Sequence, residues 1–100
     1  MRVIYTSAAR ADLLEIATWI AEDSPARAET FVEELIKACD KLGDMPRRFR
    51  LVPGHEDSGI RRRPYGNYLI FYWIGDDSVQ ILHVLHGARD YEKILFPEES

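Results

Sequence analysis

Cysteine is nearly absent from this 100-residue sequence, and so are the segments that mark secreted or membrane proteins. The one cysteine, Cys39, has no partner for an intramolecular disulfide, which excludes a secreted disulfide scaffold and argues against a cysteine-based metal site. No apolar run approaches the roughly 20 residues of a membrane-spanning helix. The first residues show no basic region followed by an apolar stretch, so secretion is not signalled. These absences predict a reduced, cytoplasmic domain that does not associate with a membrane.

Motifs for cofactor chemistry are missing as well. The sequence has no glycine-rich phosphate loop, no Gly-x-Ser-x-Gly and no His-Glu-x-x-His. His55 lies beside Glu56 and Asp57 in a predicted loop, and three groups on one flexible loop make a poor metal site. We therefore expect neither a cofactor nor a bound metal.

Charge is distributed unevenly along the chain, whose formal net charge is −4. Residues 1–46 and 64–100 are acidic, whereas residues 47–63 hold six arginines, no lysine and two acids. Arginine clusters suit bidentate recognition of carboxylate or phosphate groups. Alternatively, these arginines have no ligand and only keep a loop solvated and an edge strand charged. Direct DNA binding is disfavoured, because the chain is acidic overall and has no helix-turn-helix with a basic recognition helix.

Two amphipathic helices are predicted in the first half of the chain. Apolar residues spaced by three and four predict helix 1 over Ala8–Glu22, with Ser7 as its N-cap. The same spacing predicts helix 2 over Pro25–Leu42, with Ser24 as N-cap and Gly43 as its left-handed C-terminal residue. The short connection between them makes the pair an antiparallel hairpin.

Short β-strands are predicted on either side of this helical hairpin. Arg2–Thr6 is β-branched and aromatic, and the period of the sequence changes to two after a polar loop, residues 44–58. The strands that follow are separated by tight turns and cover Ile60–Tyr65, Tyr68–Ile74 and Val79–Leu85. The tail, Asp90–Phe96, either forms one short helix or packs down on the sheet. We predict a single α+β domain over residues 1–100 with the order β-α-α-β-β-β, in which the hairpin packs on a small, mainly antiparallel sheet.

Both faces of the predicted sheet are apolar. Alternation places Tyr72 on one face and Phe71 and Trp73 on the other, and it groups Leu85 with Ile81. Two helices can cover only one face, and an exposed apolar face of this size is typical of an interaction site. The second face is covered either by the polar loop and the tail or by a partner protein.

Two stretches of the sequence resemble the C-terminal half of ParE-type toxins. They are residues 59–72, Gly-Ile-Arg-Arg-Arg-Pro-Tyr-Gly-Asn-Tyr-Leu-Ile-Phe-Tyr, and residues 79–90, Val-Gln-Ile-Leu-His-Val-Leu-His-Gly-Ala-Arg-Asp. The helical half is also similar, so the resemblance to the ParE/RelE superfamily of type II toxin–antitoxin modules covers nearly the whole chain. The resemblance implies the fold expected from periodicity. It also implies a toxin neutralised by a ParD-like antitoxin, in a hetero-oligomer that binds operator DNA only through the antitoxin.

The resemblance implies two alternative activities. ParE-like members are described as poisons of DNA gyrase, and RelE-like members as ribosome-dependent endoribonucleases that cut messenger RNA. A ribonuclease needs groups that activate the 2′-OH, stabilise the phosphorane and protonate the leaving oxygen. The candidates for such a site are Arg61, His86, Arg89 and Tyr91. The predicted strands contain no lysine, and His86 lies in a motif that is similar in gyrase-poisoning relatives. We therefore predict a gyrase inhibitor that acts by binding and has no catalytic residues, with the ribonuclease as the alternative.

A separate set of residues is predicted to contact the antitoxin or the target. Its members are apolar or arginine side chains on the first helix, on the sheet and in the turn after it: Leu14, Trp19, Arg61, Arg63, Phe71, Trp73 and Arg89. Alternation along the strand places Arg61 and Arg63 on one face and Arg62 on the other, so the three arginines cannot all serve one site.

Overall fold

A computed structural model describes residues 1–98, which form an α+β fold with the predicted order of elements. The strands are β1 (Arg2–Tyr5), β2 (Ile60–Tyr65), β3 (Tyr68–Ile74) and β4 (Ser78–His86), and the helices are α1 (Ser7–Ala21), α2 (Pro25–Lys41) and α3 (Tyr91–Leu95). A single 3-10 turn, Glu56–Ser58, precedes β2. The tail is thus a short helix. Within residues 1–98, no helix is both long and apolar enough to cross a membrane.

The four strands form one mixed sheet in the order β1-β4-β3-β2. The hairpins β2–β3 and β3–β4 are antiparallel, whereas β1 pairs in parallel with β4, with Val3 opposite Val79. Since parallel strands need a long crossover, the helical hairpin α1–α2 carries the chain from one edge of the sheet to the other. The prediction of a mainly antiparallel sheet covered by a helical hairpin is confirmed.

Helix α1 begins one residue earlier than predicted, because its N-cap is Thr6 and not Ser7. The Thr6 hydroxyl accepts a hydrogen bond from the backbone N–H of Ala9 at 3.1 Å. The same hydroxyl lies 2.9 Å from the Ile81 carbonyl oxygen, to which it donates. Thr6 therefore caps the helix and also fastens its start to β4, a double role that Ser7 cannot have from inside the helix. Ser24 caps α2 as predicted, accepting from the Arg27 N–H at 3.2 Å.

Gly43 does not have the left-handed conformation predicted for it; the glycines with positive φ in residues 1–98 are Gly54, Gly59 and Gly66. A Cβ atom at Gly43 would instead collide with the carbonyl oxygen of Met1. The Met1 ammonium donates to the Gly43 carbonyl at 2.9 Å. Glycine is required here because the start of β1 passes directly over the end of α2.

A β-bulge in β4 changes which side chains face the helices. Phe71 pairs with His83 but Tyr72 pairs with Ile81, so Leu82 is an extra residue in the ladder. Beyond the bulge, Val84 joins the main core against the helices, and Leu85 turns to the opposite face. The predicted grouping of Leu85 with Ile81 is wrong for this reason. The largest fully buried side chains of the main core are Tyr72, Leu35, Leu42, Ile70 and Ile81.

The second face of the sheet is covered by the polar loop and by α3. Phe71 and Val52 are fully buried there, with Leu85 beside them. Phe96 packs against this cluster, and the His55 ring stacks on Phe96 with centroids 3.9 Å apart and an interplanar angle of 7°. His55 Nε2 also lies 2.8 Å from a Glu92 carboxylate oxygen. These contacts hold α3 against the loop, so most of the second face is internal.

Candidate functional site

Two of the predicted contact residues form an exposed apolar strip on α1. Leu14 is 70% exposed and Trp19 is 68% exposed. They line one shallow groove on the outer side of the helix. The helical spacing that buries Leu13 and Ile16 against the sheet places Leu14 on the outer face of the helix and Trp19 on the flank beside Ile16, where both remain exposed. The strip therefore offers large apolar side chains to another molecule.

A cavity of about 430 Å³ lies between α1 and the C-terminal part of β4. We call it the α1–β4 cavity and define it by Ile16, Trp19, Tyr68, His86 and Arg89, which lie among its lining residues. It exists because β1 ends at Tyr5, so that α1 and not a strand flanks the end of β4. The cavity joins two predicted site residues, His86 and Arg89, with Trp19.

Asp12, which was not among the predicted site residues, fastens α1 to the edge of β4 beside this cavity. Its Oδ2 atom accepts a hydrogen bond from the Val84 N–H at 2.9 Å and lies 2.7 Å from Nδ1 of His83. The first contact pairs a backbone N–H on the part of β4 that no strand covers, and the second holds the side chain of the neighbouring His83. The sequence feature that could have indicated this role is the position of Asp12, an acidic residue between the buried Ala9 and Leu13 of an amphipathic helix.

The three consecutive arginines of β2 lie on both faces of the sheet, as alternation requires. Arg61 Nη1 donates to the carbonyl of Phe49 at 2.7 Å. The Arg63 guanidinium lies over the same Phe49 ring, 5.0 Å from its centroid. Arg62 turns to the opposite face, where it donates to the hydroxyl of Tyr91 at 3.0 Å. Part of the arginine charge therefore holds the polar loop and α3 in place.

The four residues proposed for a ribonuclease are not brought together. Arg61 pairs with Tyr72 and His86 pairs with Tyr68, four positions apart on β3. At a rise of roughly 3.3 Å per residue the two lie about 13 Å apart along the strand. Tyr91 lies on the opposite face with Arg62 as its partner. Only His86 and Arg89 share a site, the α1–β4 cavity.

The two aromatic residues predicted on the second face differ in exposure. Phe71 is fully buried, 5.0 Å from the ring of Tyr91, so α3 prevents it from being the surface contact we expected. Trp73 is 40% exposed. Its indole lies between two glycines, since a Cβ atom at Gly59 or at Gly75 would approach the ring to 3.1 Å. The missing side chains at these glycines allow an exposed tryptophan to lie flat on the backbone.

Burial makes two potential nucleophiles, Cys39 and Tyr5, unreactive. Burial raises the pKa of the Cys39 thiol to about 12, so it is protonated at physiological pH. Burial also raises the pKa of Tyr5, whose hydroxyl donates to Asp40 at 2.7 Å. In the described part of the chain no three His, Cys, Asp or Glu side chains are grouped so as to hold a metal ion.

Comparison with known proteins gives concordant results. Residues 3–91 match the family model described as the ParE toxin of the type II toxin–antitoxin system parDE. A curated relative, Toxin RelE2 of Caulobacter vibrioides, is 33% identical over 88 residues, which cover 88% of this chain and 97% of that protein.

Two solved structures have the same fold. The chromosomal ParDE toxin–antitoxin system from P. aeruginosa matches with a TM-score of 0.74 and 19% identity, covering 86% of this chain and 95% of that one. The toxin–antitoxin complex RelBE2 from Mycobacterium tuberculosis matches with a TM-score of 0.64 and 26% identity, covering 85% and 95%. Because the family model spans most of the sequence and the sheet and hairpin agree with these structures, the chain belongs to the ParE family of type II toxins.

Proposed function

We propose that this ParE-family toxin inhibits DNA gyrase by direct binding, and that a ParD-like antitoxin neutralises it in the cytoplasm. The observation that carries the proposal is the dispersal of the groups that a ribonuclease would need. Arg61 and Tyr91 lie on opposite faces of the sheet, and His86 lies at the far end of β4. Acid–base catalysis requires such groups within about 0.5 Å of their working positions, whereas inhibition by binding requires only a surface.

The exposed Trp73 supplies a surface of this kind. A groove of about 460 Å³ beside it is lined by Arg47 and Arg61 and by the acids Asp57 and Asp76. An aromatic side chain fixed in place and surrounded by charged groups has the composition of a protein-binding hot spot. We assign this groove to the target protein.

Antitoxin binding is the second part of the proposal. The solved P. aeruginosa and M. tuberculosis relatives belong to toxin–antitoxin systems, and the exposed Leu14 and Trp19 of α1 suit an amphipathic helix. Arg61, Arg63 and Arg89 are the cations that we assign to the carboxylates of the antitoxin or to the target. Operator DNA would be bound through the antitoxin.

A ribosome-dependent messenger RNA endoribonuclease is the second candidate. It is favoured by the name of the curated relative, Toxin RelE2, and by the arginine–tyrosine pair formed by Arg62 and Tyr91. On that alternative, Arg62 and not Arg61 would be the cation next to the phenol.

Two assays on the purified toxin separate the candidates. We expect inhibition of gyrase supercoiling that disappears when the antitoxin is added first, and no cleavage of messenger RNA in a translation extract. Trp73→Ala should weaken gyrase inhibition, whereas Met45→Ala, which removes another exposed apolar side chain, should not. If gyrase activity is unimpaired and messenger RNA is cut, this proposal is wrong and the toxin is a ribonuclease.

A further inference from the structure

The two edges of the Trp73 indole lie on two different turns of the backbone. Its Nε1 edge lies beside Gly59, which follows the 3-10 turn Glu56–Ser58, since a Cβ atom at this glycine would be 3.1 Å from Nε1. Its six-membered ring lies beside Gly75 in the β3–β4 turn, where a Cβ atom would be 3.1 Å from Cζ3. The indole is therefore held in one orientation, and its 40% exposure leaves part of the ring open to a partner.

Each of these two turns carries a carboxylate to the groove of about 460 Å³ beside the indole, which we call the Trp73 groove. Asp57 belongs to the 3-10 turn and Asp76 to the β3–β4 turn, and both residues are exposed. Within residues 1–98 neither carboxylate has a hydrogen bond or an ion pair. Glu56, the third acid of the groove, accepts a hydrogen bond from the Gly54 N–H at 3.2 Å. Two unpartnered carboxylates therefore flank one aromatic ring.

The cations of the Trp73 groove do not neutralise these carboxylates. Arg61 donates from Nη1 to the Phe49 carbonyl at 2.7 Å, and it pairs with Tyr72, so alternation directs its side chain away from the face of Trp73. Arg47 lines the groove but forms no ion pair in the described part of the chain. Three acids and two arginines give the lining a formal net charge of −1, which favours a cationic ligand over a carboxylate or a phosphate.

We infer that the Trp73 groove receives an arginine side chain of the target protein, stacked on the indole and hydrogen-bonded to Asp57 and Asp76. The inference rests on the proposed function and names the chemistry that its target must present. Tryptophan is the best aromatic partner for a cation. A guanidinium is planar and its five N–H donors lie in that plane, so stacking on the indole directs them outward, toward carboxylates at the two edges of the ring. The ammonium of a lysine has no such planar set of donors.

The first measurement does not require gyrase. Trp19→Phe leaves Trp73 as the single tryptophan, so the fluorescence of the folded toxin then reports on the groove. This protein is titrated with a capped Gly-Arg-Gly peptide and with the same peptide carrying citrulline, which has the shape of arginine without its charge. We expect saturable quenching, with the arginine peptide bound about tenfold more tightly than the citrulline peptide.

Variants in the same background test the carboxylates. Asp57→Asn and Asp76→Asn should each weaken binding of the arginine peptide by about threefold, because each removes one charged acceptor. Arg47→Gln should tighten it by about twofold, because it removes a like charge from the groove. Asp23→Asn, which removes an exposed carboxylate from the turn between α1 and α2, is the matched control and should leave binding unchanged. Thermal melts check that every variant is folded.

The second measurement is inhibition of gyrase supercoiling by the same variants and by two replacements of Trp73. Trp73→Leu keeps an apolar side chain but removes the aromatic face, so it should reduce inhibition by about tenfold. Trp73→Phe keeps an aromatic face and should lose less. Asp57→Asn and Asp76→Asn should reduce inhibition in the same order as they weaken peptide binding.

Equal binding of the arginine and citrulline peptides would overturn the inference. Tighter binding by the two asparagine variants and weaker binding by Arg47→Gln would also overturn it, because the groove would then prefer an anion. If the arginine peptide binds selectively but the toxin does not inhibit gyrase, arginine recognition is supported and the proposed target alone is wrong. If Trp73→Leu inhibits gyrase as well as the wild type does, the target does not bind by stacking on this ring and the inference fails while gyrase remains the target.

Discussion

Replacement of Asp12 by alanine should destabilise the toxin, although it removes only one short side chain. The carboxylate is 13% exposed, and a single oxygen, Oδ2, contacts both the Val84 N–H and His83 Nδ1. The variant leaves the buried Val84 N–H without an acceptor, which costs about 1–3 kcal/mol, and it also removes a contact to His83 worth about 0.5–1.5 kcal/mol. The better helix propensity of alanine offsets at most about 0.7 kcal/mol.

We therefore expect the free energy of unfolding of Asp12→Ala to fall by about 1–4 kcal/mol, which lowers the melting temperature by roughly 5–30 °C in a domain of this size. Asp12→Asn should lose only about 1 kcal/mol, because an amide oxygen can accept in the same position without the charge. The measurement is urea denaturation of the isolated toxin, with hydrogen exchange at the Val84 amide as a local probe.

Glu15→Ala is the matched control, one helical turn further along α1. Its carboxylate is 76% exposed and 4.0 Å from Arg89, so its removal should change the free energy of unfolding by about 0.5 kcal/mol or less. If Asp12→Ala were as stable as Glu15→Ala, or if Val84 exchanged no faster, the edge of β4 would not depend on Asp12 and the reasoning would be refuted.

Three further predictions concern single residues elsewhere in the chain. Tyr91→Phe removes the hydroxyl that accepts from Arg62 at 3.0 Å but keeps the ring packed on Phe71, so growth inhibition on expression should be nearly unchanged; a loss by orders of magnitude in a folded variant, with messenger RNA cut by the wild type, would support the ribonuclease. Cys39 should resist a thiol reagent at neutral pH until the protein is unfolded, because burial raises its pKa to about 12; labelling of the native protein as fast as of the unfolded one would contradict this. Gly43→Ala should destabilise the domain by about 1–3 kcal/mol in urea denaturation, because the added Cβ collides with the Met1 carbonyl, and a wild-type midpoint would show that β1 can move aside.

Local patterns were sufficient to predict the elements of this fold. The 3.6-residue period located both helices, and the two-residue period with its tight turns located β2, β3 and β4 to within one residue. Contacts between elements distant in sequence could not be predicted from these local patterns. Thr6 replaces Ser7 as the cap because its hydroxyl also reaches the Ile81 carbonyl, and Gly43 is needed because Met1 passes above it. Both reasons depend on residues at least 42 positions away along the chain.

The extra residue in β4 explains why the candidate site was also harder to predict than the fold. Strict alternation from Ile81 would place His86 on the face covered by α3. The bulge at Leu82 reverses this alternation, so His86 pairs with Tyr68, on the helix side of the sheet, and meets Trp19 and Arg89 at the α1–β4 cavity. A one-residue shift transfers every later side chain of a strand to the other face. The cavity therefore depends on a backbone irregularity that has no proline or glycine to mark it in the sequence of β4, and it becomes visible only when the register of the sheet is known.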